Sequence, residues 1–158
     1  MEICTRDFGT IEIDESSIIR FADGIIGFED YHDFVLLDDG DDMSPFRRLQ
    51  SVEDSGLAFI LLDPFSVKPD YEFTIDDDMA ARLSIGSDED VVVFSIVVIP
   101  DDIKLMSINL KAPIIINSEE RRGAQYIIDR GDYGVRHYIL SEIERAKSVD
   151  LCEGQTAV

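Results

Sequence analysis

Short runs rich in Val, Ile, Phe, Tyr and Thr recur along the chain, each ended after a few residues by Gly, Asp, Asn or Pro. Such runs read as strands, because β-branched and aromatic side chains fit a pleated surface while Gly, Asp and Pro favour turns. They predict strands near residues 2–7, 10–14, 17–22, 33–38, 46–51, 57–62, 71–75, 91–99, 105–110, 113–117 and 124–129. The gaps are too short for the crossovers that parallel strands need, so antiparallel connections and a mainly β fold are expected.

Ile11 and Ile13 alternate with Thr10, Glu12 and Asp14, the pattern of a strand with one wet face on the outside of the sheet system. Val91–Ile99 has Ser95 as its only polar residue, which predicts a central strand covered on both faces. Asp38-Asp39-Gly40-Asp41-Asp42 reads as a hairpin tip or loop, and Asp76-Asp77-Asp78 as the start of a short helix whose dipole favours acids there. After Leu140 the period changes. Ser141-Glu142-Ile143-Glu144 fits a capping box and predicts a C-terminal helix over about 141–149, followed by a tail with little to bury. Nothing divides the chain further, so residues 1–140 are expected to form one β domain, with 141–158 as a helix and tail of the same unit.

A chain of 158 residues can bury a sizeable core without a disulfide or metal. Cys4 and Cys152 form no C-x-x-C pair and read as reduced thiols. The opening MEICTRDFG has no apolar leader region, and no apolar run approaches the ~20 residues of a membrane helix. These features predict a cytoplasmic protein that does not cross a membrane. Acidic residues outnumber basic ones by 34 to 14, for a formal charge of −20. That field opposes binding to nucleic acid or anionic lipid and speeds encounter with a basic partner, although it also serves solubility alone.

Residues for catalysis are sparse. His32 and His137 are the only histidines and neither sits in a nucleophile motif, so both read as structural or surface residues. Carboxylates are so many that a hydrolase-like pair can arise by chance and is not argued for by spacing. The calcium-loop template fails around Gly40, where Val35 occupies the first ligand position, and Gly24-Ile25-Ile26-Gly27 lacks a phosphate-loop lysine. No catalytic residue, cofactor or metal is predicted.

Five segments, in order, carry a resemblance. They are Phe21-Ala22-Asp23-Gly24-Ile25-Ile26-Gly27-Phe28-Glu29; Leu49-Gln50-Ser51 with Leu57-Ala58-Phe59; Asp63-Pro64-Phe65 with Pro69-Asp70-Tyr71-Glu72; Asn109-Leu110-Lys111-Ala112-Pro113-Ile114 with Asn117; and Tyr133 with Val135-Arg136-His137. Through them, residues 2–140 resemble the flagellar assembly factor FliW family. Ile26 stands where that family often has Pro, and Arg47-Arg48 replace positions that are often aromatic. The resemblance implies a single-domain antiparallel β-barrel-like fold with short helices. It implies a non-enzymatic, monomeric factor that binds cytoplasmic flagellin. It also implies partner switching: released from flagellin, the factor sequesters the RNA-binding translational regulator CsrA outside its RNA groove and relieves repression of flagellin synthesis. A flagellin-only chaperone is the alternative, and a carboxylate-based hydrolase the remote one.

Most motif residues have structural explanations. Gly24 and Gly27 suit backbone shapes closed to other residues, and Phe21, Phe28 and Phe65 read as core. Polar motif residues are the better protein-binding candidates. Asn109 and Lys111 flank Leu110 and share a face by strand alternation, with Asn117, Asp70 and Tyr71 next.

Overall fold

A computed structural model describes residues 1–38, 44–87 and 90–146. Its strands are β1 (Glu2–Thr5), β2 (Gly9–Glu12), β3 (Ile18–Phe21), β4 (Asp33–Asp38), β5 (Arg47–Ser51), β6 (Ala58–Leu62), β7 (Val91–Val98), β8 (Ser107–Ile108), β9 (Ile114–Asn117), β10 (Arg122–Gln125) and β11 (His137–Tyr138). Two short helices are α1 (Pro64–Val67) and α2 (Asp77–Arg82). Helical conformation also runs over residues 139–146.

Seven strands close into a barrel in the order β7-β6-β5-β4-β3-β10-β9, with β9 returning to β7. Every pairing is antiparallel except β3 with β10, a two-residue parallel seam in which Arg20 opposes Arg122 and Phe21 opposes Gly123. The mainly antiparallel β character is thus as strand spacing predicted and the barrel as the family resemblance implied, and the parallel seam is the departure. It arises because β10 reaches β3 only after the chain has gone round the barrel, so no tight turn dictates its direction.

Alternation sorts side chains to the two faces of the wall. Ile19, Phe21, Phe34, Leu49, Leu61, Ile114 and Ile116 fill the barrel interior. The outer face is covered twice. The β1-β2 hairpin lays Ile3, Ile11 and Ile13 over Val35, Leu37 and Ile18, as the alternation at its start predicts. On the other side, α1, the segment after it and the C-terminal helix cover Leu62, Val97 and Ile108 with Val67, Tyr71, Tyr133 and Ile139.

β7 is central in pairing, since it bonds to β6, β8 and β9. Its two faces are not covered throughout, contrary to the sequence reading: Val92, Val98 and Ile99 are exposed, while Ser95 is fully buried. The strand outruns the layers packed on it, so apolar ends emerge while its polar middle lies opposite Leu62 and beneath α1.

Residues 71–75 form no strand. Phenols supply their partners instead: Tyr133 Oη accepts from Glu72 N at 3.0 Å, and Tyr126 Oη donates to Thr74 O and accepts from Asp76 N, both at 3.2 Å. The helix at the C-terminus begins at 139, so Ser141 lies within it and caps nothing. Asp76 does cap α2, accepting from Met79 N at 2.8 Å. The acidic turn at 39–43, Cys152 and the tail lie outside the described residues.

The seam is closed tightly. A Cβ on Gly123 would sit 2.5 Å from the ring of Phe21, which is fully buried and cannot withdraw. Gly123→Ala is therefore expected to destabilise the protein by about 1–3 kcal/mol, the range for overpacking a filled core. Urea unfolding checks this; an unchanged midpoint would refute the tight seam.

Candidate protein-binding groove

Where β7 and β8 extend past the barrel, the interior face of the wall opens to solvent as a groove. It is lined by Ile25, Ile26, Phe59, Ile96, Ile127 and Val135, with Asn109, Lys111 and Gln125 as polar members. Ile26, Ile127 and Val135 are 57%, 57% and 64% exposed. Register continues this face along the strands, from Ile96 to Val98 and across Ser107 to Tyr138, and Val98 and Tyr138 are also exposed.

Each wall is held by backbone hydrogen bonds. The Ile25–Phe28 turn follows Gly24, at φ +69°, where a Cβ would come within 2.6 Å of the Glu29 backbone. Gly27 has φ +90° and is likewise closed to most side chains. Phe28 N donates to Ile25 O at 2.7 Å, and the Phe28 ring meets Phe59 edge-on at 5.3 Å. Gln125 bridges two walls: its Oε1 accepts from Ile26 N at 2.9 Å and its Nε2 donates to Ala112 O at 3.2 Å.

Asn109 and Lys111 do share a face, although they lie beyond the end of β8 rather than within a strand. The Asn109 side chain is committed to the turn, with Oδ1 accepting from Lys111 N and Ala112 N, both at 3.1 Å. Leu110 N and Lys111 N donate to Gly134 O, which ties the 109–111 segment to the Val135 wall. The Lys111 ammonium makes no ion pair among the described residues and stands free at the groove edge.

His137 supports the same wall. Gly134 N–H donates to its Nε2 at 2.8 Å, so that nitrogen is the acceptor and Nδ1 carries the proton toward Glu142 Oε1 at 3.1 Å. Glu142 is buried and also faces Lys68 and Arg145 at 3.8 and 3.6 Å. This chain of contacts connects the C-terminal helix to the groove. His32, the other histidine, places Nδ1 3.0 Å from Phe21 O.

The remaining candidates sit apart from the groove. Asn117 is buried and donates through Nδ2 to Leu83 O at 2.8 Å and Ser84 O at 3.2 Å, closing the end of α2. Tyr71 is buried against Tyr133, with ring centroids 4.7 Å apart, and its hydroxyl donates to Leu110 O at 2.7 Å. Burial pushes its phenol well above the ordinary tyrosine range. Burial thus accounts for both residues, which the sequence reading places among the protein-binding candidates. Asp70 is exposed and pairs with Lys68 at 3.4 Å.

Other motif residues are also spent inside the fold. Gln50 Nε2 has four carbonyls of the β5-β6 turn within hydrogen-bond reach to share its two N–H groups, and Oε1 accepts from Arg6 N at 3.0 Å. Asp63 caps α1 with Pro64 in its first turn. Phe21 is core, whereas Phe28 and Phe65 are partly exposed, which corrects their assignment to the interior. Arg47 and Arg48, which depart from the aromatic pattern, pair with Asp38 at 2.6 Å and Asp7 at 3.1 Å. The two guanidiniums flanking Asp7 hold its carboxyl below the usual range.

The sequence reading names Ile26 and Val135 as motif residues, but none of Ile26, Ile127 and Val135 as a binding candidate. A signal existed for Ile127: Tyr126-Ile127-Ile128 is an apolar run without alternation, so not all three side chains can face the core, although the strand expected over 124–129 ends at Gln125. Among the described residues no group of three His, Cys, Asp or Glu side chains is placed to hold a metal ion, and no helix is long and apolar enough to cross a membrane.

The buried role of Asn117 has a measurable consequence. Asn117→Ala leaves two carbonyls at the end of α2 without their donor and is expected to cost about 1–3 kcal/mol. Thermal unfolding checks the loss; an unchanged melting temperature would refute the buried role.

A family profile described as FliW protein matches residues 2–139. The flagellar assembly factor FliW of Ruminiclostridium cellulolyticum is 45% identical over 145 residues, covering 92% of this chain and 98% of that one. The protein of the same description from Caldicellulosiruptor saccharolyticus is 48% identical over 139 residues, covering 88% and 90%. A crystal structure of the flagellar assembly factor FliW superposes with a TM-score of 0.82 at 39% identity, covering 88% of this chain and 96% of the other. With its barrel and its motifs in place, the chain belongs to the FliW family of flagellar assembly factors, a family of non-enzymatic proteins.

Proposed function

We infer that this chain acts in the cytoplasm as a partner switch: it binds flagellin and, when flagellin is exported, sequesters CsrA and so relieves repression of flagellin synthesis. The observation that carries this reading is the exposed apolar groove, held open by hydrogen bonds to backbone and rimmed by Lys111. A protein that exposes Ile26, Ile127 and Val135 side by side has a reason to keep them uncovered, and the usual reason is a protein partner. Flagellin is assigned to this groove.

CsrA is assigned to the acidic exterior. An RNA-binding regulator carries basic surface, and a formal charge of −20 steers it in. The two assignments use different physical terms, apolar burial for one and electrostatics for the other. Exchange of partners then requires that the sites be coupled or overlap. The carboxylate-hydrolase alternative has no support in Glu142, whose charge is taken up by His137, Lys68 and Arg145. The flagellin-only chaperone is distinguished by titration.

Calorimetric titration with flagellin and with CsrA, each also in the presence of the other, tests the switch. Mutual weakening is expected and measures the coupling free energy; binding to flagellin alone would leave only the chaperone. Ile127→Asp should weaken flagellin by roughly tenfold or more, since it puts a charge where apolar contact is needed. CsrA association should slow as salt rises, whereas a rate indifferent to salt would remove the steering argument. Lys111→Glu should weaken one partner, and unchanged affinity for both would take Lys111 out of the interface.

A further inference from the structure

In a chain with so large an acidic excess, four of the ten arginines line one cavity of about 480 Å³ at the parallel seam: Arg20, Arg82, Arg121 and Arg122. Only two carboxylates, Asp23 and Glu120, share its wall. Asp23 is taken by Arg82, and Arg20 is paired from outside the wall by Asp33 at 3.2 Å. Arg121 and Arg122 make no ion pair among the described residues, although the Asp14 carboxyl, held below its usual range chiefly by hydrogen bonds from Ser16, also feels the Arg121 charge. Arg121 donates to the exposed carbonyl of Ser16 at 3.3 Å, and Arg122 to Ser84 Oγ at 2.9 Å and Arg82 O at 3.4 Å.

This arrangement is unfavourable on its own terms. Arg20 and Arg122 are direct cross-strand neighbours, and like charges placed opposite one another destabilise a sheet. Arg121 adopts φ +55°, a conformation few non-glycine residues take. A protein with 34 acidic residues has no shortage of carboxylates to neutralise the cluster, yet among the described residues two guanidiniums of the wall make no ion pair. Guanidinium forks are matched in shape to phosphate and carboxylate oxygens. Ile18, Met79 and Leu83 supply apolar wall beside them, and the cavity has the size of a small-molecule site.

We propose that the cavity beside the β3-β10 seam binds a small multivalent oxyanion, an organic phosphate or polycarboxylate, between Arg121, Arg122 and Arg20. Such a ligand neutralises the opposed Arg20-Arg122 pair and ties β3 to β10 where they share only two residue pairs. It therefore stabilises the closed barrel. A polyanionic nucleic acid is the less suited ligand, because beyond the cavity it meets the acidic exterior.

The test uses the full chain titrated with pyrophosphate and, separately, with citrate, at constant ionic strength, followed by calorimetry and by the arginine Nε–H signals in NMR spectra. Saturable binding is expected for at least one probe, with a raised melting temperature, and the preferred probe tells phosphate from carboxylate chemistry. Arg121→Gln together with Arg122→Gln should weaken it by roughly tenfold or more, while Arg130→Gln, on another surface, leaves it unchanged. Should the double variant fail to fold, Arg121→Gln alone serves, since the hydrogen bond that side chain makes among the described residues is to an exposed carbonyl. No saturation with either probe, or equal binding by the folded arginine variants, overturns the proposal.

Discussion

The closure of the barrel rests on two residue pairs. β3 and β10 meet in parallel register over Arg20-Arg122 and Phe21-Gly123 alone, and without them the sheet is open, with two free edges. Parallel ladders are slightly weaker per residue than antiparallel ones, so the seam depends on side-chain packing as much as on hydrogen bonds. Phe21 supplies it: fully buried, edge-on to Phe34 at 5.3 Å, its ring lies directly over Gly123. The residue opposite is glycine because no other leaves room for that ring.

Once the barrel is closed, its outer wall still carries apolar side chains wherever strands alternate, and each patch needs a cover. The β1-β2 hairpin covers β3 and β4 with isoleucines, held at its turn by Asp7 to Arg48 and by Arg6 to Gln50 and the Ala58 carbonyl. The second cover is irregular, and tyrosines replace a strand partner there. Tyr71 and Tyr133 bury their rings and Tyr126 half-buries its own, and each satisfies backbone groups with its hydroxyl. An irregular segment can lie on a core only if its polar backbone is paired, which is the role these three phenols share.

Much of the fold was legible in the sequence because strand periodicity and turn chemistry are local. The outside position of Ile11 and Ile13 followed from alternation, and the Asp76 cap from an acid at a helix start. Residues 71–75 were misread because Tyr, Phe and Thr have the composition of a strand, whereas their partners are side chains far away in sequence. The site was less legible. Asn109 and Lys111 lie on the groove, but Asn117 and Tyr71 are polar residues whose buried bonds are long-range and leave no local trace. Ile127 looked like any other apolar position and Val135 like one more motif residue, since periodicity tells which face a side chain takes and not whether that face is covered.

Charge is distributed against the mean of the chain. The acidic excess makes the exterior attractive to basic partners at long range, yet screening confines that pull to within about 8–10 Å in ordinary salt. Contact energy at the groove must then come from apolar burial, and the groove is where the wall carries few charges. Its shape depends on a relay of neutral and charged groups behind it: Gly134 binds the Leu110 and Lys111 amides, His137 fixes Gly134, and Glu142 fixes His137. The imidazole can hold the Gly134 amide only with Nε2 unprotonated, so one ring nitrogen decides whether the Val135 wall stays tied to the C-terminal helix. Through that tie, a shift of the C-terminal helix would reach the groove wall, and the proposed exchange of partners would need a coupling of this kind.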